Sequence, residues 1–470
     1  MLKVALAAGS MPYFSSEGEK IYKKAFRDLE KLSKTMGFDL TVYPDLIMTE
    51  KRAAEVRKEI DSDDNDFLLI FHPTYISGDI IFELMKTRAQ LGLWAAIEPT
   101  REGPLPLASF VCLNQNTSIA GHFFKDSKKK FKWFMGEAGD REFEERLKIT
   151  IRVLDAIKQL KELRIAQLGP IAEGFRNMYY DERDLYRILG VDVIRDLGTE
   201  DVIRTSEDLD EDIISKEYSK VKESFSSITA PEDKIMDSVR YFLTLQNICR
   251  ERNIGAIAFD CASKLAPLKA MTGCLVNSLL NSSGIVTGCE GDMVSTISSY
   301  ILKALSGKPT LVSDMAAYDE KDQSLLMWHC GSAPMELADD NGVTCRNVYR
   351  SEFAKGTELE DMGPITSLTY KGGPVTVFRL TGEVDSFYYF TGSMFEGKKS
   401  WYGNRGWVKD LKLYKEPIEV KDLINTILVN NIQHHYPMVL EDVSDYLEEM
   451  AYWLDLEKVP EKKWQRYLYK

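Results

Sequence analysis

Residues 288–293 read Gly-Cys-Glu-Gly-Asp-Met and connect an apolar segment at 284–288 to a helical pattern at 294–305 (VSTISSYILKAL). A second apolar, β-rich segment at 310–313 follows and ends at Asp314. Glu290 therefore stands where a helix begins, and Asp314, 24 residues later, stands where the next strand ends. In an open α/β sheet both places lie at the rim where ligands bind, which predicts that the two carboxylates meet there.

The same alternation of strand and helix organises most of the chain. Apolar segments at 2–8, 39–43, 66–71 and 93–96 alternate with helical patterns, and after a long helical stretch at 141–161 the alternation starts again at residue 163. This pattern is typical of parallel sheets and predicts two α/β domains. From about residue 310, β-branched and aromatic segments joined by glycine-rich turns predict hairpins in an antiparallel sheet or barrel, with a last helix near 440–455.

Composition excludes several classes of protein. The formal net charge of −13 argues against a nucleic-acid partner, which would require a basic face. No apolar run has the roughly 18 residues that span a bilayer, and residues 2–8 resemble a first strand and not a signal peptide. The seven cysteines are scattered without a CxxC pair, so we expect reduced thiols in a cytoplasmic protein without a membrane partner.

Two carboxylates and a few histidines are the candidates for chemistry. Glu290 and Asp314 would suit a hard divalent cation, although from residue type alone the roles of helix N-terminal residue and turn former explain them better. Of the five histidines, His329 ends a predicted strand, and the adjacent His434 and His435 precede the last helix. Adjacent side chains usually point apart, so one of this pair could face a site while the other packs.

Other motifs point away from nucleotide chemistry. No GxGxxG follows the first strand, and the P-loop-like run at 392–399 has Lys399 where Ser or Thr is required. Residues 401–407 (WYGNRGW) predict an aromatic, glycine-rich loop that contains Trp401 and Arg405. Sugars often stack on such rings, but the loop could also cap a core.

Taken in order, several short motifs resemble the L-fucose isomerase and L-arabinose isomerase superfamily. These motifs are Phe259-Asp260-Cys261, Gly273-Cys274, the CEGDM run at 289–293, Asp314, the WHCGSAP run at 328–334, and Asn431 four residues before His435. The resemblance implies two Rossmann-like α/β domains, 1–162 and 163–309, and a C-terminal antiparallel β-barrel-like domain, 310–470, with a terminal helix. It also implies a homo-oligomer, a hexamer or trimer, with active sites at subunit interfaces.

The resemblance further implies an enzyme that interconverts an aldose and a ketose with Mn²⁺, or with Mg²⁺ or Co²⁺ instead. The metal ligands would be Glu290, Asp314 and His435, the last preferred over His434 because it stands four residues after Asn431. Glu290 and Asp314 would also transfer protons through a cis-enediolate, and Asn431 would hydrogen-bond a substrate hydroxyl. His329 is the nearest candidate for a further histidine, and His434 is placed near the substrate.

Four residues and the choice of sugar complete the expectations. The loop at 113–119, with Asn114 and Gln115, resembles a first-domain loop that reaches a neighbour's active site. The sugar could be a pentose, a 6-deoxyhexose or a 6-modified hexose such as sulfoquinovose. Arg405 would face the anionic group of sulfoquinovose, and the Trp401 ring would stack on the sugar. A sugar-binding protein without turnover, and a metal-dependent aldolase or epimerase, are the alternatives.

Overall fold

The structure, a computed structural model, forms two compact units, Met1–Lys158 and Gln159–Lys470. It describes residues 1–125, 129–269, 271–348, 352, 355–357, 362–381, 383–395 and 397–467. Parallel sheets and one large mixed sheet make it an α/β fold, as predicted. The second unit contains both a parallel sheet and the large mixed sheet, and a division of the chain into three domains stays a prediction.

The first unit is a parallel sheet with helical connections. Its strands are β1 Lys3–Ala8, β2 Asp39–Val42, β3 Phe67–His72, β4 Gln90–Ala95 and β5 Phe131–Met135. Its helices are α1 Ser15–Met36, α2 Glu50–Ser62, α3 Gly78–Met85, α4 Ser109–Phe123 and α5 Arg141–Lys161, the last of which runs into the second unit. The strand order is β2-β1-β3-β4-β5, and every pairing is parallel.

The central strands of this sheet explain its apolar sequence. All six residues of β3 are buried, as are five of the six in β1, because helices cover both faces of a parallel sheet. The loop predicted at 113–119 is wrong, since these residues lie within the helix α4. The small residues Cys112 and Ala120 of α4 are buried against the sheet core, so packing keeps this polar segment helical.

The second unit begins with another parallel sheet. Its strands and the short β8 are β6 Arg164–Leu168, β7 Asp192–Ile194, β8 Ser227–Ile228, β9 Ala256–Phe259 and β10 Val286–Cys289. Its helices are α6 Glu182–Asp184, α7 Thr199–Glu207, α8 Glu211–Glu223, α9 Glu232–Arg252, α10 Leu265–Lys269, α11 Cys274–Ser282 and α12 Met293–Ser306. Four of the strands pair in the order β10-β9-β6-β7, all parallel, while β8 joins the large sheet.

The large mixed sheet supplies most of the remaining chain. Its further strands are β11 Leu311–Asp319, β12 Ser324–His329, β13 Thr344–Arg346, β14 Ile365–Thr369, β15 Gly373–Leu380, β16 Ser386–Phe395, β17 Asn404–Leu413, β18 Glu416–Pro417, β19 Tyr436–Val439 and β20 Glu457–Lys458. Two helices, α13 Val420–Val429 and α14 Ser444–Leu454, accompany it. Short helical turns lie at Pro12–Phe14, Arg176–Met178, Leu185–Leu189 and Met335–Leu337.

Six of these strands close on themselves. The strand order runs β16-β15-β19-β11-β12-β17, and an additional pairing joins β17 back to β16. All six pairings around this ring are antiparallel. Alternate side chains such as Met327, Val377 and Met438 are buried in a single hydrophobic cluster with residues of the other strands. Closing the ring leaves these six strands without a free edge.

The structure differs from the sequence interpretation in three places. Asp314 does not end its strand, because β11 continues to Asp319 through its pairing with β12, where Asp314 faces Trp328. Strands β10 and β11 also belong to different sheets, so the rim of one open sheet is not what relates Glu290 to Asp314. Arg405 lies in β17 and not in a loop, since residues 404–413 pair with both β12 and β16.

Helix α12 is almost entirely buried and packs against β10, β15 and β19. Its N-cap, Asp292, accepts a hydrogen bond from the Ser295 amide at 3.0 Å. The same carboxylate is fully buried and forms an ion pair with Arg379 of β15, whose Nη1 lies 2.9 Å from Asp292 Oδ2. This buried pair therefore fixes the start of α12 to the strand ring.

We expect Arg379→Met to lower the free energy of unfolding by about 3–5 kcal/mol, because it leaves the Asp292 carboxylate buried without its guanidinium. Urea-induced unfolding followed by tryptophan fluorescence would measure the change. As a control, Arg204→Ala removes an ion pair with Asp201 in which both side chains are largely exposed, and it should cost about 0–1 kcal/mol. Equal effects of the two substitutions would contradict an anchoring role for Arg379.

The structure bears on the predictions for the cysteines and for membrane-spanning segments. All seven cysteines are free thiols, as their irregular spacing predicted. Among the described residues, no helix combines the length and the hydrophobicity that crossing a membrane requires.

Candidate active site

Glu290 stands on a strained turn between β10 and α12. Its backbone φ is 62° and that of Gly291 is 73°, so two successive residues adopt the left-handed conformation, which is uncommon for a glutamate. A Cβ on residue 291 would lie 2.3 Å from the Pro170 carbonyl oxygen, so only glycine fits there. The Glu290 carbonyl accepts a hydrogen bond from the Ala172 amide at 3.0 Å. Such strain persists where the surroundings enforce it, and it is frequent at functional sites.

His435 lies between two carboxylates immediately before β19. Its Nε2 is 3.0 Å from Glu290 Oε2, and its Nδ1 is 3.0 Å from Asp292 Oδ2. Its carbonyl oxygen accepts a hydrogen bond from Arg379 Nη1 at 3.0 Å. The ring is therefore held through its nitrogen atoms and through its backbone, which fixes the direction in which Nε2 points.

The charges around His435 shift the pKa values of all three groups. Burial disfavours the imidazolium, but hydrogen bonds to Asp292 and Glu290 outweigh burial and raise the pKa of His435 to about 9. Burial would raise the pKa of the Glu290 carboxyl, yet the hydrogen bond from His435 lowers it overall. Burial would also raise the pKa of the Asp292 carboxyl, but the Arg379 charge and the hydrogen bond from His435 outweigh it. The pKa of Asp292 therefore lies well below the usual range. Both carboxyl groups are therefore ionised at neutral pH.

Asp314 and His329 approach His435 from the strand ring. His329 ends β12 and is buried, and its ring centroid lies 5.9 Å from that of His435. Asp314 Oδ1 is buried and accepts no hydrogen bond from any described residue. A buried carboxylate oxygen without a donor is costly unless a cation or a ligand satisfies it.

Five of the predicted site residues fall into two groups that share His435. Ligand atoms of Glu290, His434 and His435 all lie within 4.8 Å of one another, and the same is true of Asp314, His329 and His435. Glu290 and Asp314 thus belong to different groups, each with His435. Carboxylate oxygens and imidazole nitrogens, which hard and borderline divalent cations prefer as ligands, therefore lie close together. This set of ligands suits Mn²⁺ or a similar ion.

His434 forms the outer side of this site. Its ring stacks edge-on against Phe175, with centroids 4.9 Å apart, and its Nδ1 lies 3.4 Å from Asn177 Nδ2. Burial and the neighbouring His435 charge lower the pKa of His434. Metal ions bind the neutral form of imidazole, so His434 can bind one directly, whereas His435 would first have to release the proton that it shares with Glu290.

A cavity of about 320 Å³ opens beside Glu290 and His329. Its walls are largely apolar and contain four of the seven cysteines, namely Cys261, Cys274, Cys289 and Cys330. Burial raises the pKa of Cys261 to about 11, and that of Cys274 and Cys289 well above the usual value, so these thiols stay protonated. The volume lies at the lower end of the range for small-molecule sites, about 300–1,000 Å³.

The remaining predicted site residues lie elsewhere in the fold. Asn431 has an exposed side chain on the turn after α13, with a left-handed φ of 57°. Trp401 is exposed just before β17, and the half-buried Arg405 lies within that strand. Asn114 is exposed on α4 and Gln115 accepts a hydrogen bond from Tyr75, both in the first unit. Their predicted roles toward the substrate stay predictions.

The sequence patterns missed the residues that support His435. Asp292 was quoted only as part of the run at 289–293, and its position gave no sign that it contacts a histidine 143 residues later. Arg379 lies 87 residues from Asp292 in an otherwise ordinary strand, and Phe175 lies in a turn without any motif. Only the N-cap aspartate following Glu290 offered a signal, and by itself that signal indicates helix capping.

Several proteins named sulfoquinovose isomerase are similar to this chain. The one from Priestia aryabhattai is 22% identical over 396 residues, which cover 83% of this chain and 84% of that protein. The one from Alkalicoccus urumqiensis is 23% identical over 362 residues, which cover 76% of this chain and 77% of that protein. No protein-family model matches the chain.

These similarities extend over most of the chain. They support the sugar-isomerase class that the sequence motifs predicted. The narrower assignment to the L-fucose and L-arabinose isomerase superfamily, the metal and the oligomeric state stay predictions.

Proposed function

We propose that this chain is a divalent-cation-dependent isomerase that interconverts an aldose and a ketose, acting on a hexose modified at C6. The observation that carries the proposal is His435, whose ring completes one ligand group with Glu290 and another with Asp314. The names of the similar proteins supply the reaction class and indicate sulfoquinovose as the sugar to test first.

Glu290, Asp314 and His435 would hold the cation, with His329 and His434 as the further ligands within reach. The buried, unsatisfied Asp314 Oδ1 supports this fit, because a carboxylate oxygen in that state needs a positive partner. When bound, a divalent cation supplies a Lewis acid that stabilises negative charge on the sugar oxygens. Asp292 would keep the tautomer and direction of His435, as carboxylate partners of metal-binding histidines commonly do.

The proton transfers are assigned to the two carboxylates. One carboxylate takes the proton from C2 of the open-chain aldose while the carbonyl oxygen at C1 gains a proton, which gives a cis-enediol or its enediolate. The proton is then returned to C1 as the hydroxyl at C2 loses its own, which yields the ketose. Glu290 suits the role of base, because its lowered pKa keeps it ionised and it borders the cavity.

The alternatives are less well supported by the site. A protein that only binds sugar has no need of two carboxylates around a shared histidine, one of them on a strained turn. An aldolase or epimerase could use the same enediolate, but the similar proteins carry the name of an isomerase. A chain that released a shorter carbonyl product would be an aldolase.

We expect Glu290→Gln to lower kcat by about 10²–10⁴, the usual contribution of a positioned acid or base, without unfolding the protein. Conversion of sulfoquinovose to its ketose, followed by NMR with Mn²⁺ present, would measure this. Glu207→Gln provides the matched control, because Glu207 is exposed and pairs with Lys269. A fully active Glu290→Gln enzyme would refute the assignment.

Mn²⁺ itself should bind to this site and stabilise the folded chain. At 100 times its Kd, a ligand of the native state adds about 2.7 kcal/mol, so thermal unfolding should shift upward with Mn²⁺ and return with EDTA. Asp314→Asn should weaken Mn²⁺ binding by at least about tenfold, as read by calorimetry or by the EPR signal of free Mn²⁺. Unchanged Mn²⁺ affinity in this variant would show that Asp314 is not a ligand.

A further inference from the structure

Arg405 carries a positive charge that no described carboxylate pairs with. It is half-buried on β17, and its Nη1 donates to the neutral oxygens of Gly403 at 2.9 Å, Ser367 at 3.3 Å and Leu368 at 3.4 Å. Burial lowers the pKa of its guanidinium, which reflects the cost of keeping a cation there. A half-buried guanidinium held only by neutral acceptors is available to an anionic ligand.

A second guanidinium is close by. Arg346 ends β13, and its Cζ lies 3.7 Å from the centroid of the Tyr402 ring. It forms an ion pair with the exposed Glu352 at 2.9 Å, yet its Nε is buried and donates no hydrogen bond to any described residue. A buried charged N–H group without an acceptor is expensive, and a ligand oxygen would satisfy it.

The two arginines meet at the turn formed by Tyr402 and Gly403. Arg346 covers the Tyr402 ring, and Arg405 donates to the Gly403 carbonyl oxygen. The charge of Arg346 also contributes to lowering the pKa of Arg405, which places the two guanidinium groups within electrostatic reach. Guanidinium pairs match the geometry of tetrahedral oxyanions such as sulfonate and phosphate.

The turn connects this pair to the candidate active site. Trp328 Nε1 donates to the Tyr402 carbonyl oxygen at 2.6 Å, and a Cβ on residue 403 would lie 2.4 Å from the His329 carbonyl oxygen. Gly403, with φ of 115°, therefore packs directly on the backbone of a candidate ligand.

The strand register gives the spacing. Asp314 faces Trp328 across β11 and β12, and Trp328 faces Arg405 across β12 and β17. Directly paired residues point to the same side of a sheet, so Asp314 and Arg405 share a face, two strand spacings or about 10 Å apart. This separation is comparable with that between the reacting end and the substituted end of an extended hexose.

We propose that Arg346 and Arg405 form a subsite for the anionic group at C6 of the sugar, and that this group is a sulfonate. The inference rests on the proposed isomerase function and adds to it the residues that select a charged substrate. A phosphate shares the tetrahedral oxyanion chemistry, and the names of the similar proteins favour the sulfonate. The reacting end of the sugar would then lie at the carboxylates while the sulfonate lies at the Tyr402 turn.

The test compares three substrates that differ only at C6, namely sulfoquinovose, glucose 6-phosphate and the uncharged 6-deoxyglucose. Arg405→Met and Arg346→Met should each lower kcat/KM for sulfoquinovose about 10- to 100-fold, mostly through KM, since a hydrogen bond to a charged group is lost. The rate with 6-deoxyglucose should not change. Arg405→Lys should recover part of the loss, and the wild type should prefer the sulfonate to the phosphate.

Two control variants sharpen this test. Arg240→Met removes an arginine of similar exposure that already pairs with Glu211. It should leave kcat/KM unchanged for all three substrates. Arg176→Met removes an exposed arginine beside Asn177, which contacts His434. If Arg176→Met abolished the preference for the sulfonate while Arg346→Met and Arg405→Met did not, the proposed subsite would be wrong. If Arg346→Met and Arg405→Met lowered kcat/KM more for glucose 6-phosphate than for sulfoquinovose, the subsite would be assigned to sugar phosphates instead.

Binding separates this inference from the isomerase function. Calorimetric titration of the EDTA-treated protein with sulfoquinovose should show weaker binding to Arg405→Met than to the wild type, with thermal unfolding confirming that the variant is folded. If no sugar is isomerised but this difference is present, the proposed function fails and the anion subsite stands. If turnover occurs and both proteins bind sulfoquinovose equally, the subsite fails and the function stands.

Discussion

A fully buried carboxylate at the start of α12 organises this part of the molecule. Asp292 caps the helix, pairs with Arg379 of the strand ring and accepts a hydrogen bond from His435. An ionised carboxylate in an apolar interior requires such partners, because it cannot remain charged there without them. The parallel sheet, the closed ring and the histidine are thus joined through one side chain.

Rigid placement of His435 has a chemical consequence. Because Nδ1 and the carbonyl oxygen of His435 are both occupied, Nε2 has a fixed direction toward Glu290. Glu290 is held in the left-handed backbone conformation, and only glycine fits at the next position, 291. The proposed binding of a cation and transfer of protons between neighbouring carbons would need this degree of positioning, since small displacements of acid–base groups reduce rates strongly.

The sequence predicted more of the elements than of their arrangement. Helix α5 matches its predicted range, 141–161, because strong periodicity specifies it locally. Residues 113–119 of helix α4 were expected to form a loop because of the family resemblance, but packing within the unit decides their conformation. Arg405 was likewise placed in a loop, because glycines flank it and only pairing with β12 and β16 shows that it is in a strand.

By itself, the sequence determined the α/β rhythm, the candidate carboxylates and histidines, and a resemblance to sugar isomerases, because residue type, spacing and local periodicity are properties of neighbouring residues. Only the tertiary structure decided that β10 and β11 belong to different sheets, that His435 is shared by both ligand groups, and that Asp292 and Arg379 support it. These relations join residues 87 to 145 positions apart, and no local rule specifies such contacts until strand pairing and burial have closed the ring.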